Sequence, residues 1–320
     1  MRVLSGIQPS GVVHLGNYFG YIKPNIDLLD TGEIFLMIAD LHALTTVREP
    51  QLLSQYCKDV ALDLLACGLD PEKGVLFYQS DIPEHAELMW ILSTITPMGL
   101  LERAVSYKEK LEKGIAAHVG LFSYPVLQTA DILLYDADTV PVGKDQKQHL
   151  EIARDIAVKF NHEFGEIFVL PEPRIREDVA VVPGIDGQKM SKSYGNTIPL
   201  FGEESVIKKA IMGIKTDSAE MNAPKNPDTC IVYQIHKLLL SDAEAKALAD
   251  EYRNGLPYGE AKKKLLESYL DVFGTMRQKR KELEAKPEYV QEVRREGAKK
   301  ASTVAKKTME RVRKAVGLSS

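Results

Sequence analysis

"EIFLMIAD" (residues 33–40) and "GVLFYQSD" (74–81) are two short apolar runs, each ending in a polar residue. Unbroken runs of that length suit strands buried on both faces. Between them, "QLLSQYCKDVALDLLACGLD" (51–70) repeats apolar side chains at helical spacing, at Leu52, Tyr56, Val60, Leu64 and Cys67, and stops at Gly68. A strand, a helix and a strand in that order predict a right-handed parallel crossover. "MRVLSGIQPSG" (1–11) reads as a further strand entering a turn. "TVPVG" (139–143) reads as a strand before a helix on which Leu150, Ala153, Ala157 and Phe160 share a face. The expected fold class is therefore α/β, a Rossmann-type doubly wound parallel sheet. After the Gly/Pro-rich stretch 183–199 the texture turns helical, and Ala301, Val304, Thr308, Val312 and Val316 recur at steps of three and four. The expected division is a sheet domain over 1–196 and a helical domain over 197–320, whose last helix can pack back on the first.

The chain has 320 residues, 44% hydrophobic and 27% charged, which fits an ordinary globular protein with a full-sized core. Cys57, Cys67 and Cys230 stand far apart with no C-x-x-C pair, which argues against a disulfide framework or a zinc site. The N-terminus has no long apolar run, and no stretch of about 18 apolar residues occurs. A cytoplasmic, reduced protein without a membrane partner is expected. Charge is uneven: residues 261–320 carry 17 Lys/Arg against 8 Asp/Glu, a net of +9, and the rest carries 24 against 37, a net of −13. A basic end on an acidic body suits a polyanionic partner, although solvated helix faces have the same composition.

Two stretches suit phosphate. "QPSGVVHLGNY" (8–18) follows the first strand, where ligands of open parallel sheets bind. Pro9, Ser10 and Gly11 turn the chain toward a helix whose N-terminus favours an anion. His14 and Asn17 share the first turn's face and can donate to phosphate oxygens, and Gly16 admits a flat ring close to the backbone. A capped helix with an incidental His would have the same letters, and the Walker pattern is absent. "PGIDGQKMSKSYGN" (183–196) is a loop by its Pro and Gly content. It carries two cations, Lys189 and Lys192, interleaved with Ser191 and Ser193, a set that can close over a polyphosphate. A solvated basic loop is the plainer reading of one K-x-x-K.

A third stretch, "SYPVLQTADILLY" (123–135), holds one acid among apolar neighbours. Tyr124, Gln128, Asp131 and Tyr135, spaced 4, 3, 4, share one helical face, with Pro125 in the expected first turn. A carboxylate buried there needs donors, from a neighbouring protein group or from a ligand.

The stretches P-S-G-x-x-H-L-G-N (9–17) and K-M-S-K-S (189–193) together resemble the two signatures of the class I aminoacyl-tRNA synthetases. "SGIQPSG", "GNYFGYI", "VPVGKDQKQHLEIARDIA" and the C-terminal "GAKKASTVAKKTMERVRKAVGL" extend the likeness over most of the chain, toward the bacterial tryptophanyl branch. The resemblance implies an anticodon-binding helical domain, a homodimer, ATP with Mg2+, L-tryptophan and tRNA(Trp) as partners, and two half-reactions at one site. Tryptophan's carboxylate attacks the ATP α-phosphate, releasing pyrophosphate, and the aminoacyl group then passes to a terminal ribose hydroxyl of the tRNA.

By position, the resemblance implies that His14, Asn17, Lys189 and Lys192 are catalytic. It implies that Gln8, Pro9, Ser10, Gly16 and Asn17 hold ATP, with Gly143, Lys144 and Asp145 at the ribose and Val181 on the adenine side. Lys189, Met190, Ser191, Lys192 and Ser193 would cover the pyrophosphate. Lys144 stands where an acid is usual, so that position should not depend on side-chain charge. Asp131 would accept the indole N–H, Tyr124, Gln128 and Gln8 would take the α-amino group, and His42, Val140, Val142 and Gln146 would complete the substrate side.

Y-x-x-x-Q-x-x-D at 124–131 is also how tyrosyl enzymes of the class bind a phenol, and those residues alone do not separate the two. "VPVGKDQKQH" and "SGIQPSG" resemble the tryptophanyl branch. A branch with Gln at the Gln128 position includes members that bind an iron–sulfur cluster through four cysteines; of that set only Cys230 is present, so no cluster is expected. Two further readings are a nucleotidylyltransferase with the H-x-G-H-type turn, which needs neither the KMSKS loop nor a basic helical domain, and a catalytically silent RNA-binding paralogue. The intact lysines and Asp131 speak against the latter.

Overall fold

A computed structural model describes residues 1–104, 118–142, 147–175 and 182–318. Five parallel strands, β1 (Arg2–Ile7), β2 (Glu33–Ile38), β3 (Gly74–Tyr78), β4 (Thr139–Val142) and β5 (Glu172–Ile175), form one sheet in the order β3-β2-β1-β4-β5. Leu4 lies opposite Phe35, Leu36 opposite Leu76 and Val3 opposite Thr139. Alternate residues bury both faces. Val3, Ile34, Leu36, Ile38 and Leu76 join one core, while Leu4, Phe35, Met37, Phe77 and Val140 join the other. The apolar runs read as two-faced strands because every second residue has its own core to enter.

The chain leaves β1 toward β2 and β3, then returns to the other side of β1 as β4, so the order reverses between β1 and β4. That reversal leaves a crevice at the strands' carboxyl ends. The fifth strand was not anticipated: "EPRI" holds a proline and two charges, a composition that suits the sheet edge where β5 lies.

A helical run over 15–26 (α1) follows β1, with a π-helical segment at Tyr18–Ile22. Next come α2 (Asp40–Ala43), α3 (Pro50–Ala66), α4 (Glu84–Ser93), α5 (Met98–Glu102), α6 (Val119–Leu134) and α7 (Lys147–Phe164). On α7 Leu150, Ala153, Ala157 and Phe160 are buried, as their spacing required. Helix α6 corrects one expectation. It starts at His118, whose Nδ1 accepts from the Leu121 N–H, so Pro125 lies inside the helix rather than in its first turn. Proline has no N–H to return to the preceding turn, and one rung of the ladder is lost there.

Helices α8 (Glu204–Met212), α9 (Ile231–His236), α10 (Asp242–Arg253), α11 (Tyr258–Glu284) and α12 (Pro287–Ala315) make up the C-terminal part. Their core is continuous with the sheet's: Tyr269 and Phe273 of α11 pack with Tyr18, and the Tyr269 hydroxyl donates to the carbonyls of Pro199 and Leu200. Helix α12 lies along β3. A Cβ on Gly297 would sit 1.8 Å from the Leu76 carbonyl oxygen, so only glycine allows this approach. The buried stripe Ala301, Ala305, Thr308, Met309 and Val312 continues along the sheet side.

Four of the 17 C-terminal cations reach back to acids before residue 197. Arg280 pairs with Asp63 and Asp59, Arg294 with Asp81, Arg311 with Asp136 and Arg313 with Glu87. The arginines clasp the acidic body, and exposed lysines such as Lys300, Lys306 and Lys307 are left on the surface.

Candidate active site

The turn after β1 and the loop after β5 meet beside the crevice. His14 is buried and forms an isolated bridge with Pro199, and its N–H donates to Asn17 Oδ1 at 3.2 Å. Asn17 thus spends its carbonyl on the helix start. His14 Nδ1 is buried with no hydrogen-bond partner among the described residues. Burial first, and the Lys192 charge second, hold the imidazole down at about 4, so His14 is neutral near pH 7. Gly16 lies directly beneath that ring: a Cβ would be 3.0 Å from His14 Cε1 and Nδ1.

The loop is folded on itself by Asn196. Its Oδ1 accepts from the Ser191 N–H at 2.8 Å, and its Nδ2 donates to Asp186 Oδ1 at 2.8 Å and to the Lys189 carbonyl at 3.1 Å. Pro183 and Lys189 bridge antiparallel, and Met190 turns inward beneath α1, its Sδ 3.4 Å from the Gly16 nitrogen. Lys189 and Ser193 stay exposed, and the Ser191 and Ser193 hydroxyls are 2.9 Å apart. Lys192 reaches across the crevice and donates to the Gly11 carbonyl at 2.9 Å. Burial outweighs the nearby Asp63 and lowers its ammonium to about 8. Of the turn residues, Pro9 is buried and Ser10 exposed. Gln8, also exposed, points its amide at the His42 carbonyl (3.5 Å) and Thr46 Oγ1 (3.2 Å).

Asp131 is 2% exposed and met by three donors. His85 Nδ1 and Gln79 Nε2 donate to Oδ1, each at 2.7 Å, and His42 Nε2 donates to Oδ2 at 2.8 Å. The Tyr135 hydroxyl donates to His85 Nε2 at 2.9 Å, which leaves Nδ1 as the protonated nitrogen. Burial alone would push the Asp131 carboxyl up, but His42 and His85 overcome it and hold it at about 2. A carboxylate offers about four lone-pair sites. Three are taken here, and the remaining one is on Oδ2, the oxygen shared with partly exposed His42. His85 at the other oxygen is sealed.

The Tyr124 ring stands edge-on to His42 at 6.2 Å, with its hydroxyl 2.6 Å from His149 Nε2. Gln128 is half-buried on the same face. Val140 is buried in the same core cluster as Ala130 and Tyr135. The positions Gly143, Lys144, Asp145, Gln146 and Val181, and the Val142 side chain, lie outside the described residues.

Sequence reasoning missed Gln79, His85 and Asn196. Gln79 ends an apolar run at a strand's carboxyl end, a position that could have marked it. His85 is fully buried on α4, where a single polar residue carries no distinctive letter pattern.

A parallel sheet with this switch point, an H-L-G-N turn facing a K-M-S-K-S loop, and a buried acid beside them define a class I aminoacyl-tRNA synthetase. The chain belongs to the tRNA synthetases class I (W and Y), whose family model matches residues 1–274. A relative from Rhodopirellula baltica named tryptophan–tRNA ligase is 54% identical over 99% of this chain and 100% of its own. Another of that name from Fusobacterium nucleatum is 52% identical over 99% of this chain and 98% of its own. The tryptophanyl-tRNA synthetase of Campylobacter jejuni, solved with ADP and tryptophan, is 50% identical with a TM-score of 0.94, covering 99% of this chain and 100% of its own.

Proposed function

We propose that this protein activates L-tryptophan with ATP and transfers it to tRNA(Trp). The observation that carries the reading is the likeness over nearly all of both chains to a structure crystallised with ADP and tryptophan. The buried Asp131 supports it, because indole has one donor and no acceptor, and Oδ2 has one acceptor direction left.

The attacking carboxylate is already ionised, so the site needs no general base. What it must supply is position and charge at a crowded, anionic phosphorus centre. In this reading His14, neutral, and Asn17 donate hydrogen bonds to phosphate oxygens. Lys192 leaves the Gly11 carbonyl for the phosphates, and Lys189 follows the departing pyrophosphate. Mg2+ carried on the ATP substrate would neutralise part of its phosphate charge. Gln8, Tyr124 and Gln128 orient the α-amino group while Asp131 grips the ring nitrogen.

Residues 1–196 would carry this chemistry and 197–320 the anticodon reading, with the exposed lysines of α11 and α12 facing RNA. A homodimer in the cytoplasm completes the proposal. Its support is the exposure of large apolar side chains on α6 and on two helices that contact it: Trp90 is 72% exposed on α4, Met98 64% on α5 and Val119 82% at the start of α6.

ATP–pyrophosphate exchange across the twenty amino acids tests the reading. Tryptophan should give the one strong signal; a strong tyrosine signal in its place would overturn it.

A further inference from the structure

Gln79, the donor at the base of the Asp131 carboxylate, sits in a single 3-10 turn, Gln79–Asp81. That turn is held from outside. Arg294 of α12 grips Asp81 with both arms of its guanidinium, Nε to Oδ2 at 2.9 Å and Nη2 to Oδ1 at 2.5 Å, and lies 3.7 Å over the Tyr78 ring. Asp81 in turn accepts the Tyr78 N–H at 3.1 Å. The Ser80 N–H and hydroxyl donate to Asp40 at 2.9 and 2.5 Å. Asp40 opens α2, the short helix that carries His42, and the His42 N–H donates to Gln79 Oε1 at 3.4 Å. Two of the three donors on Asp131 therefore ride on short turns clamped to one another, and the clamp ends on the last helix.

We propose that Arg294 is a positioning residue for amino-acid specificity: through Asp81 it fixes the turn that aims Gln79, and with it His42, at Asp131. This rests on the reading of Asp131 as acceptor of the indole N–H. A carboxylate locked by three donors cannot turn away to find water when the ligand lacks an N–H, so its unused lone pair stays unpaired and rejects that ligand. Loosening the turn lets the carboxylate relax. Tryptophan then loses part of its preorganised acceptor, and an N–H-less ring is penalised less.

The test is kcat/KM in pyrophosphate exchange for tryptophan and for 3-benzothienylalanine, in which sulfur replaces the ring N–H. Arg294→Met should lower the tryptophan preference about fivefold or more, through KM for tryptophan, with kcat held within about twofold. Arg294→Lys keeps the charge without the fork and should fall between, while Asp81→Asn should match Arg294→Met. Arg280→Met breaks a comparable arginine clasp, on α3, that makes no contact with the turn; it should move both substrates together and leave their ratio unchanged. An Arg294→Met enzyme that keeps the full wild-type preference, or an Arg280→Met enzyme that loses as much of it, overturns the proposal alone. A wild type that does not prefer tryptophan over the sulfur analogue removes Asp131's role and this proposal with it.

Discussion

The two halves of the site are prepared in opposite ways. Around Asp131 the polar groups are already satisfied by one another: His85, Gln79, Tyr135 and His42 form a closed set with one acceptor direction left over. On the side proposed for the nucleotide, His14 Nδ1 is buried without a partner among the described residues, Lys192 rests on a backbone carbonyl, and Lys189 stands in solvent. If Asp131 receives the amino acid as proposed, that pocket is built before its ligand arrives. In the proposed reading, ATP replaces the contact between Lys192 and the Gly11 carbonyl. Selection benefits from a rigid acceptor, since rejection depends on leaving it unpaired. A loop that tracks a moving pyrophosphate cannot be locked in the same way.

Breaking the built half should cost most. Asp131→Ala strands three donors and removes the ring's acceptor, so kcat/KM for tryptophan should fall by about 10³-fold or more in pyrophosphate exchange. ATP binding should be nearly untouched. On the other side, Lys192→Ala or His14→Ala should lower the rate of adenylate formation in single turnovers by about 10²–10³-fold, some 2.7–4 kcal/mol of transition-state binding, with little change in tryptophan affinity. If either variant loses affinity for tryptophan instead, the two halves are not separable as described.

Titration sharpens the contrast. With its ammonium lowered to about 8, Lys192 is cationic below that pH and loses its charge above it. The KM for ATP should therefore climb severalfold between about pH 7.5 and 9, and Lys192→Arg should flatten the rise. Stability runs the other way. Between the depressed folded value and the ordinary lysine value the unfolded chain binds more protons, so this group's contribution to stability grows as pH rises through that window. The smallest effect belongs to neither half. Gly297→Ala forces a methyl into the Leu76 carbonyl and should lower stability by about 1–3 kcal/mol, read as a lower urea midpoint. Tryptophan specificity should change only as far as the shift reaches Arg294.

What the sequence disclosed followed from periodicity and from two dense signatures. Strands β1 to β4, the buried face of α7 and the line Tyr124–Gln128–Asp131–Tyr135 are all regular patterns, and regular patterns report burial. β5 hid because Glu172, Pro173 and Arg174 resemble a loop. The start of α6 hid because a proline at an interior position looks like a first turn. The donors of Asp131 hid for another reason. Gln79 and His85 are single polar letters, 52 and 46 positions from their partner, and no local pattern encodes such a meeting. The basic C-terminus was legible as charge, but its arginines find their acids more than 170 positions away, which only the fold can arrange.

The most direct measurement of whether Asp131 selects the ring nitrogen is a double-mutant cycle that pairs wild type and Asp131→Asn with tryptophan and its sulfur analogue. The account predicts that wild type prefers tryptophan by about 10²-fold or more and that the preference nearly vanishes in Asp131→Asn, a coupling of about 2–3 kcal/mol. An undiminished preference in Asp131→Asn would mean that the nitrogen is read elsewhere, and the central claim would be wrong.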